Sequence, residues 1–260
     1  MATAEIERRT GARAIDRAIA LLEVFYEVDG AISLSELATR LDLPPSTVHR
    51  VAQALLRGDL LAQDPETENY NLGAGLVNLG QVAAKRIGLS RAIDVLNELV
   101  AETQETAGIA VLRGQRAHML ARVETDSALR VHLATGPFVG LHCTAVGKLL
   151  LAYSADPAQM IDDLGPLKAY TPDTVTDPKK LLAEFAAIRG DGYAVNEGQM
   201  NVGVRALAVP VKGPGGETVA GLCIEAPAVR LGDDRIGDLI TRMQLAAERI
   251  SKVATFDGST

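Results

Sequence analysis

Pro44 and Pro45 separate one apolar-periodic stretch from the next, and that break constrains the fold more than any other feature of the chain. The residue before a proline is driven out of the α region, so a helix arriving at Asp42 and Leu43 must stop there. A proline has no N–H to lose in the first turn of a helix, so Pro44 or Pro45 opens a new one. Upstream, Ser33 followed by Glu36 three residues later is a capping box for a short helix burying Leu34, Leu37, Ala38 and Leu41. Further upstream, residues 12–28 place Ile15, Ile19, Leu22 and Tyr26 at helical spacing, which predicts a first helix with those four as its apolar stripe.

In the helix after the prolines, helical spacing sets Val48, Val51, Ala52 and Leu55 on one side. Ser46, Arg50, Gln53 and Arg57 share the other side, with Thr47 and His49 at the flanks. A short helix, a tight break and a second helix presenting hydroxyl, amide and guanidinium groups outward is the layout of a helix-turn-helix, whose second helix enters the DNA major groove. Residues 60–72 then read as two strands around an Asp64–Asn69 turn, a hairpin that makes the unit winged. The candidate DNA-binding residues are Arg13, Arg17, Ser35, Pro45, Ser46, Thr47, His49, Arg50, Gln53 and Arg57. Arg8 and Arg9, ahead of Arg13 and Arg17, add charge suited to phosphates or a minor groove. Glu66 and Glu68 at the wing tip would repel phosphate. The formal net charge of -7 does not oppose this reading, because nucleic-acid binding follows local clusters of charge and not the total.

At 260 residues and 47% apolar content the chain can bury a full core, and the change of pattern along it predicts two small domains. Residues 1–73 form the winged helix-turn-helix, 74–88 a helical linker carrying Leu76, Leu79 and Ala83 in register, and 89–260 an α+β domain. In that last region a helix with Ile93, Leu96 and Val100 is followed by a strand pair turning at Arg113 to Arg116. Next come a strand at 129–133, the helix starting at Thr144, helices near 157–164 and 178–189, a strand pair over 205–227 and a terminal helix from Asp233 to Val253. No run of roughly 18 uncharged apolar residues occurs, and the N-terminus is too charged for a secretory signal. The expected location is the cytoplasm, with no membrane partner. Cys143 and Cys223 lack metal-ligand spacing and are expected to be buried apolar residues; no cofactor and no metal is expected.

Four stretches resemble the IclR family of bacterial transcriptional regulators. LATRLDLPPSTVHRVAQALLRGDLL is similar to its recognition segment and YNLGAGLVNLG to its junction into the linker helix. GLHCTAVGKLLLA is similar to its effector-loop signature, and GYAVNEGQMNVGVRALAVPV with VAGLCIEAP to its closing segment. They occur in the family's order and cover nearly the whole chain. The resemblance implies a winged helix-turn-helix joined to a GAF-like effector-binding domain, dimers formed through the DNA-binding units, and commonly tetramers formed through the effector domains. The implied partners are double-stranded operator DNA, a small-molecule effector and further copies of the chain. The implied effector-binding residues are Thr144, Ala145, Val146, Gly147, Asn196, Ala206, Cys223 and Glu225. Free N–H groups where a helix opens at Thr144 favour a carboxylate or carbonyl oxygen, and alternation sets Cys223 and Glu225 on one face of the last strand with Leu222 and Ile224 on the other. Asn196 supplies no charge and Ala206 no hydrogen bond, so the effector itself is not carried over. Glu225 either faces the pocket or pairs with an arginine such as Arg205.

An enzyme is the rival class. His142 beside Cys143 suggests a thiol nucleophile, but neighbours on a strand point to opposite faces. The run ending in Gly147-Lys148 mimics a phosphate-binding loop, yet His142 stands where that motif requires glycine and Leu149 where it requires Ser or Thr. His118, His132 and His142 on neighbouring strands read as structural histidines. A third class is a ligand sensor acting through a protein partner without DNA.

Overall fold

In the computed structural model, the backbone is described for residues 2–131 and 138–256, with side chains from Ala12 onward. The chain divides into two compact units, Met1–Ala84 and Lys85–Thr260.

The first unit contains α1 (Ala2–Val24), α2 (Leu34–Leu41), α3 (Pro45–Arg57), β1 (Leu61–Gln63), β2 (Tyr70–Leu72) and most of α4 (Ala74–Arg86). Ser33 caps α2, its hydroxyl accepting from the Glu36 N–H at 3.2 Å. The reciprocal half of the capping box is not used: the Glu36 carboxylate instead takes two hydrogen bonds from Arg40, one turn on. Asp42 ends α2 in the left-handed region, and its N–H bonds back to the Ala38 and Thr39 carbonyls. Pro45 then occupies the first turn of α3, as the proline pair predicts. Leu37, Val48, Ala52 and Leu55 meet Leu21 and Val24 of α1 together with Ile32, Leu61 and Tyr70 in one apolar cluster. β1 and β2 pair antiparallel, with Leu61 opposite Leu72. Ile32 bridges Tyr70, a third short pairing that ties the loop before α2 to the wing.

The first helix departs from its expected stripe. Ile15 is 63% exposed, Ile19 52% and Tyr26 50%. The buried face runs instead through Leu21 and Val24, with Ala18 and Leu22 partly covered. Apolar residues crowd more than one face of this helix, and the face that fits against α2 and α3 wins over the one whose spacing is most regular. α4 buries none of its side chains, and Val77, Leu79 and Val82 are all more than half exposed.

The second unit is built on a six-stranded antiparallel sheet in the order β5-β4-β3-β8-β7-β6. Its strands are β3 (Thr106–Arg113), β4 (Arg116–Val123), β5 (Phe138–Val139), β6 (Ala194–Glu197), β7 (Val204–Lys212) and β8 (Thr218–Pro227). Helices α5 (Leu89–Thr103) and α9 (Asp233–Val253) cover one face, where Ile109, Val111, Leu207, Val209, Leu222 and Ile224 are packed. Helices α6 (Ala145–Ala152), α7 (Pro157–Leu164) and α8 (Pro178–Asp191) cover the other, over Ala110, Ala117, Ala206, Ala208 and Cys223. The architecture is α+β throughout, as the pattern predicts. Leu222 and Ile224 do face a core, but the Cys223 face is buried too, against a second apolar cluster.

The expected strand at 129–133 is corrected: Leu129 to Val131 form no strand, and His132 and Leu133 lie outside the described residues. Hydrogen bonds just ahead of Leu129 and one to its carbonyl are made to side chains and not to a strand. Thr125 N–H bonds the Thr106 hydroxyl, Ser127 N–H bonds the Thr125 hydroxyl, and Arg230 holds the Leu129 carbonyl at 3.1 Å. The edge pairing comes from Phe138 and Val139.

Replacing Ser33 by Ala removes the only side-chain acceptor at the start of α2 seen among the described residues, and is expected to cost about 1 kcal/mol of stability. Urea unfolding of the variant should show a lower midpoint at unchanged slope.

Candidate DNA-binding face and effector site

The exposed side of α3 carries Ser46, His49, Arg50 and Arg57, and Pro45 at its start is exposed as well. Thr47 and Gln53 are half-buried, and Gln53 hydrogen-bonds the Tyr70 phenol, which burial pushes above its ordinary pKa. Gln53 is therefore turned in part toward the wing. The helix is anchored from beneath by Val48, Ala52 and Leu55, so its outward row stands on a fixed support. Ser35 is exposed on α2, its hydroxyl 3.0 Å from that of Ser33. Arg13 is exposed and Arg17 half-buried on α1; the side chains of Arg8 and Arg9 lie outside those described. At the wing tip, the Asp64 carboxylate accepts from the Thr67 and Glu66 N–H groups, and these bonds hold it below its usual pKa. Glu66 and Glu68 are exposed there.

In the second unit, Thr144 caps α6. Its hydroxyl accepts from Gly147 N–H at 3.0 Å and donates to the Gly140 carbonyl at 2.7 Å, and its carbonyl receives the Lys148 N–H. Ala145, Val146 and Gly147 are all buried. Gly147 has to be glycine on steric grounds, since a Cβ there would lie 2.2 Å from the Gly140 carbonyl oxygen. Lys148, only 2% exposed, is held by Glu184 at 2.8 Å and the Val195 carbonyl at 3.2 Å.

The strand register brings Asn196, Ala206 and Glu225 into one row across β6, β7 and β8, with Cys223 one pleat along on the same face. Asn196 is buried and its hydrogen bonds are committed internally: Nδ2 donates to the Cys143 carbonyl at 2.7 Å and to Gln199 Oε1, while Oδ1 accepts from Gln199 N–H. Glu225 does not pair with Arg205, which is held by Glu197 and by Asp233. Its partner is Arg122 on β4, with Nη2 3.0 Å from Oε2. Burial pushes the Glu225 carboxyl above its ordinary pKa, and the Arg122 charge opposes that rise. Sequence reasoning missed Arg122. Because β4 is separated from β8 by β3, only the sheet order places the two residues together.

His142 and Cys143 do not form a nucleophile pair. His142 Nε2 bonds the Lys168 carbonyl at 2.9 Å, whereas Cys143 Sγ lies 3.3 Å from the Met200 sulfur. Burial pushes the Cys143 thiol up to about 11 and the Cys223 thiol up further, so both are neutral at physiological pH. Among the described residues, no group of three or more His, Cys, Asp or Glu side chains is placed to hold a metal ion, and no helix is long and apolar enough to cross a membrane.

A winged helix-turn-helix joined to an α+β domain that buries charged side chains in its sheet defines a DNA-binding regulator of two-part design. The comparisons with known proteins name the class more closely. Residues 14–65 match the IclR helix-turn-helix domain, and residues 82–252 match the bacterial transcriptional regulator IclR C-terminal domain. The chain belongs to the IclR family of bacterial transcriptional regulators. It is 33% identical over 244 residues to the HTH-type transcriptional regulator BhcR of Paracoccus denitrificans, covering 93% of this chain and 87% of that one. It is 31% identical over 243 residues to the HTH-type transcriptional repressor AllR of Escherichia coli, covering 91% and 89%. Among solved structures, a putative IclR transcriptional regulator from Silicibacter sp. superposes with a TM-score of 0.84 at 28% identity, over 92% of this chain and 95% of that one.

Asn196→Ala would leave the buried Cys143 carbonyl without the donor it has here, and is expected to destabilise the protein by about 1–3 kcal/mol. A thermal melt of the variant lying on top of the wild-type curve would contradict this structural role.

Proposed function

We propose that the chain is a ligand-responsive regulator that reads a pseudo-palindromic operator, belonging to a catabolic operon, and that a small organic effector controls this binding. The observation that carries the reading is the outward row Ser46, His49, Arg50 and Arg57 on a helix pinned by a buried opposite face. Thr47 and Gln53 border that row, Pro45 starts it, and Ser35, Arg13 and Arg17 are assigned to phosphates. In this scheme residues 1–73 bind DNA, 74–88 link, and 89–260 bind the effector. The effector site comprises the opening of α6 at Thr144 to Gly147 and the sheet face of Asn196, Ala206, Cys223 and Glu225. Ala145 and Val146 present N–H groups at a helix N-terminus, where an oxygen ligand is favoured. Asn196 on that face also holds the Cys143 carbonyl in place. The chemistry calls for no catalytic group: Cys143 and Cys223 are buried, protonated thiols.

Arg50→Ala is expected to weaken operator binding by about 1–3 kcal/mol if the guanidinium reads a base edge. Fluorescence anisotropy on operator and scrambled duplexes checks this. An equal loss on both, with the salt slope reduced by about one ion, assigns Arg50 to phosphate, and unchanged affinity on every duplex removes α3 from the interface. If the chain acts only through a protein partner, the wild type binds no duplex drawn from the DNA upstream of its own gene.

A single winged unit buries on the order of 600–1,000 Å² on DNA, too little for tight specific binding at cellular salt, so symmetry must supply the rest. The exposed apolar residues Ile15 and Ile19 of α1 and Val77, Leu79 and Val82 of α4 suit contacts between copies. Light scattering at micromolar concentration is expected to show a dimer or a dimer of dimers. A monomer with and without operator would refute the assembly.

A further inference from the structure

The linker enters the second unit at a joint that its own helix does not secure. None of the α4 side chains is buried, and Lys85 and Arg86 in its last turn are exposed. The helix that follows brings no side-chain cap: Gly88 stands at the start of α5 in the left-handed region, with a φ of 72°. The joint is held instead by the segment just after α9.

Three contacts converge there. Thr255 N–H donates to the Ile87 carbonyl at 3.0 Å. Gly88 lies so close to the end of α9 that a Cβ on it would be 2.2 Å from the Val253 carbonyl oxygen, and its positive φ independently favours glycine. Phe256, only 2% exposed, belongs to the apolar cluster of α5, α9 and the sheet, against which Ile87 and Leu89 are also packed. Arg113, at the end of β3, donates to the Phe256 carbonyl and closes the arrangement. Terminating α9 requires none of this, since the Ala254 N–H already returns to the Ile250 carbonyl. Beyond that bond Ala254 and Phe256 are buried and Thr255 between them is exposed, the alternation of an extended strip laid on a surface.

The opposite end of α9 is fastened as well. Arg205 on β7 pairs with Asp233 in the first turn of α9 and with Glu197 at the end of β6, and it donates to the Leu231 carbonyl at 2.9 Å. The 21 residues of α9 make a helix of about 30 Å, whose buried face, including Leu239, Met243 and Ile250, packs in the cluster over the sheet. One helix therefore ties β6 and β7 to the joint with the linker. Packed helices of this kind slide as units by small shear movements.

We propose that Ala254–Phe256 is a clasp that fixes the direction in which the linker leaves the second unit, and that α9 passes movements of β6 and β7 to it. This rests on the regulator reading and assigns to that regulator the joint through which its sensing unit acts on the linker. Arg113 and Thr255 are positioning residues: they hold Phe256 and Ile87 in place and touch no ligand.

The test uses the full chain. Arg113→Gln removes the donor to Phe256 at an exposed position, and Thr255→Pro removes the N–H given to Ile87; Ala254 already has the extended conformation that a following proline requires. Tryptic cleavage after Lys85 and Arg86 needs local opening of the last turn of α4. Both variants are expected to be cut there about threefold faster or more, as loss of one hydrogen bond that opposes the opening implies. Cleavage after Lys179 and Lys180 and the melting midpoint should stay as in the wild type. Hydrogen exchange with and without a duplex drawn from the DNA upstream of the gene reads the coupling. Linkage requires that DNA on the first unit alter protection at residues 87–89 and at Thr255, and that Arg113→Gln lose the change at Thr255. Unchanged cleavage after Lys85 and Arg86 overturns the proposal. So does an equal rise at every site, which marks general destabilisation, and so does bound DNA that leaves those amides unaltered. A chain that binds no duplex sinks the regulator reading alone, and the digestion then decides the clasp.

Discussion

A sheet covered by helices on both faces offers no water to a charged side chain, and the second unit is organised around that constraint. The α5 and α9 side meets it by excluding polarity: Ile109, Val111, Leu207, Val209, Leu222 and Ile224 are apolar and fully packed. The other side does not. Arg122, Thr106, Asn196 and Glu225 lie there in two adjacent rows, beside small residues at Gly108, Ala206 and Ala208. Polar groups among small ones on an otherwise apolar surface are the materials from which ligand sites are commonly built.

The buried polar groups differ in how completely they are satisfied. Glu105, with a side chain only 1% exposed, draws Arg230 and Arg235 to one oxygen at 3.1 and 2.9 Å, joining the start of β3 to the segment before α9 and to α9 itself. Lys148 joins α6 to α8 through Glu184 and to β6 through the Val195 carbonyl. Asn196 joins β6 to the loop before α6. Each of these holds elements in position, although Glu105 Oε2 has no partner among the described residues. Arg122 and Glu225 link β4 to β8 as an ion pair of 3.0 Å across β3, with no further partner for the guanidinium nitrogens among the described residues.

Much of this was readable from residue order alone, and the failures have a common cause. The Ser33 cap, the proline start of α3 and the span of α9 depend on neighbours in sequence, and the structure has them where local chemistry puts them. The α1 stripe failed because its spacing is equally good for two faces, and only α2 and α3 choose between them. The strand expected from Leu129 failed over Leu129 to Val131, where the Leu129 carbonyl accepts from Arg230 and not from a neighbouring strand. Arg122 could not be found because its partner lies two strands away, across a sheet order in which β3 neighbours β8. In the row of Asn196, Ala206 and Glu225, the family resemblance selected residues that the register does bring together, but it carried no information about which of them has spare hydrogen-bonding capacity.

The first unit poses the opposite physical problem. Its apolar core is small, ten buried residues from Leu21 to Tyr70 among the described residues, and a domain of this size buries a lower fraction of its surface than a larger one. Yet it leaves Ile15 and Ile19 on α1, and Val77, Leu79 and Val82 on α4, in water. Covering them would add burial where the unit is poorest in it, at roughly 25 cal/mol per Å² of apolar surface removed from water. A second copy of the same unit is an economical cover, because a two-fold contact uses each patch against its own kind and sets two α3 helices in the symmetric arrangement that a palindromic site demands. Under the proposed assembly, the residues that stabilise the small domain and those that fix the spacing of its reading heads are the same, so operator geometry and the stability of the DNA-binding unit cannot be altered independently.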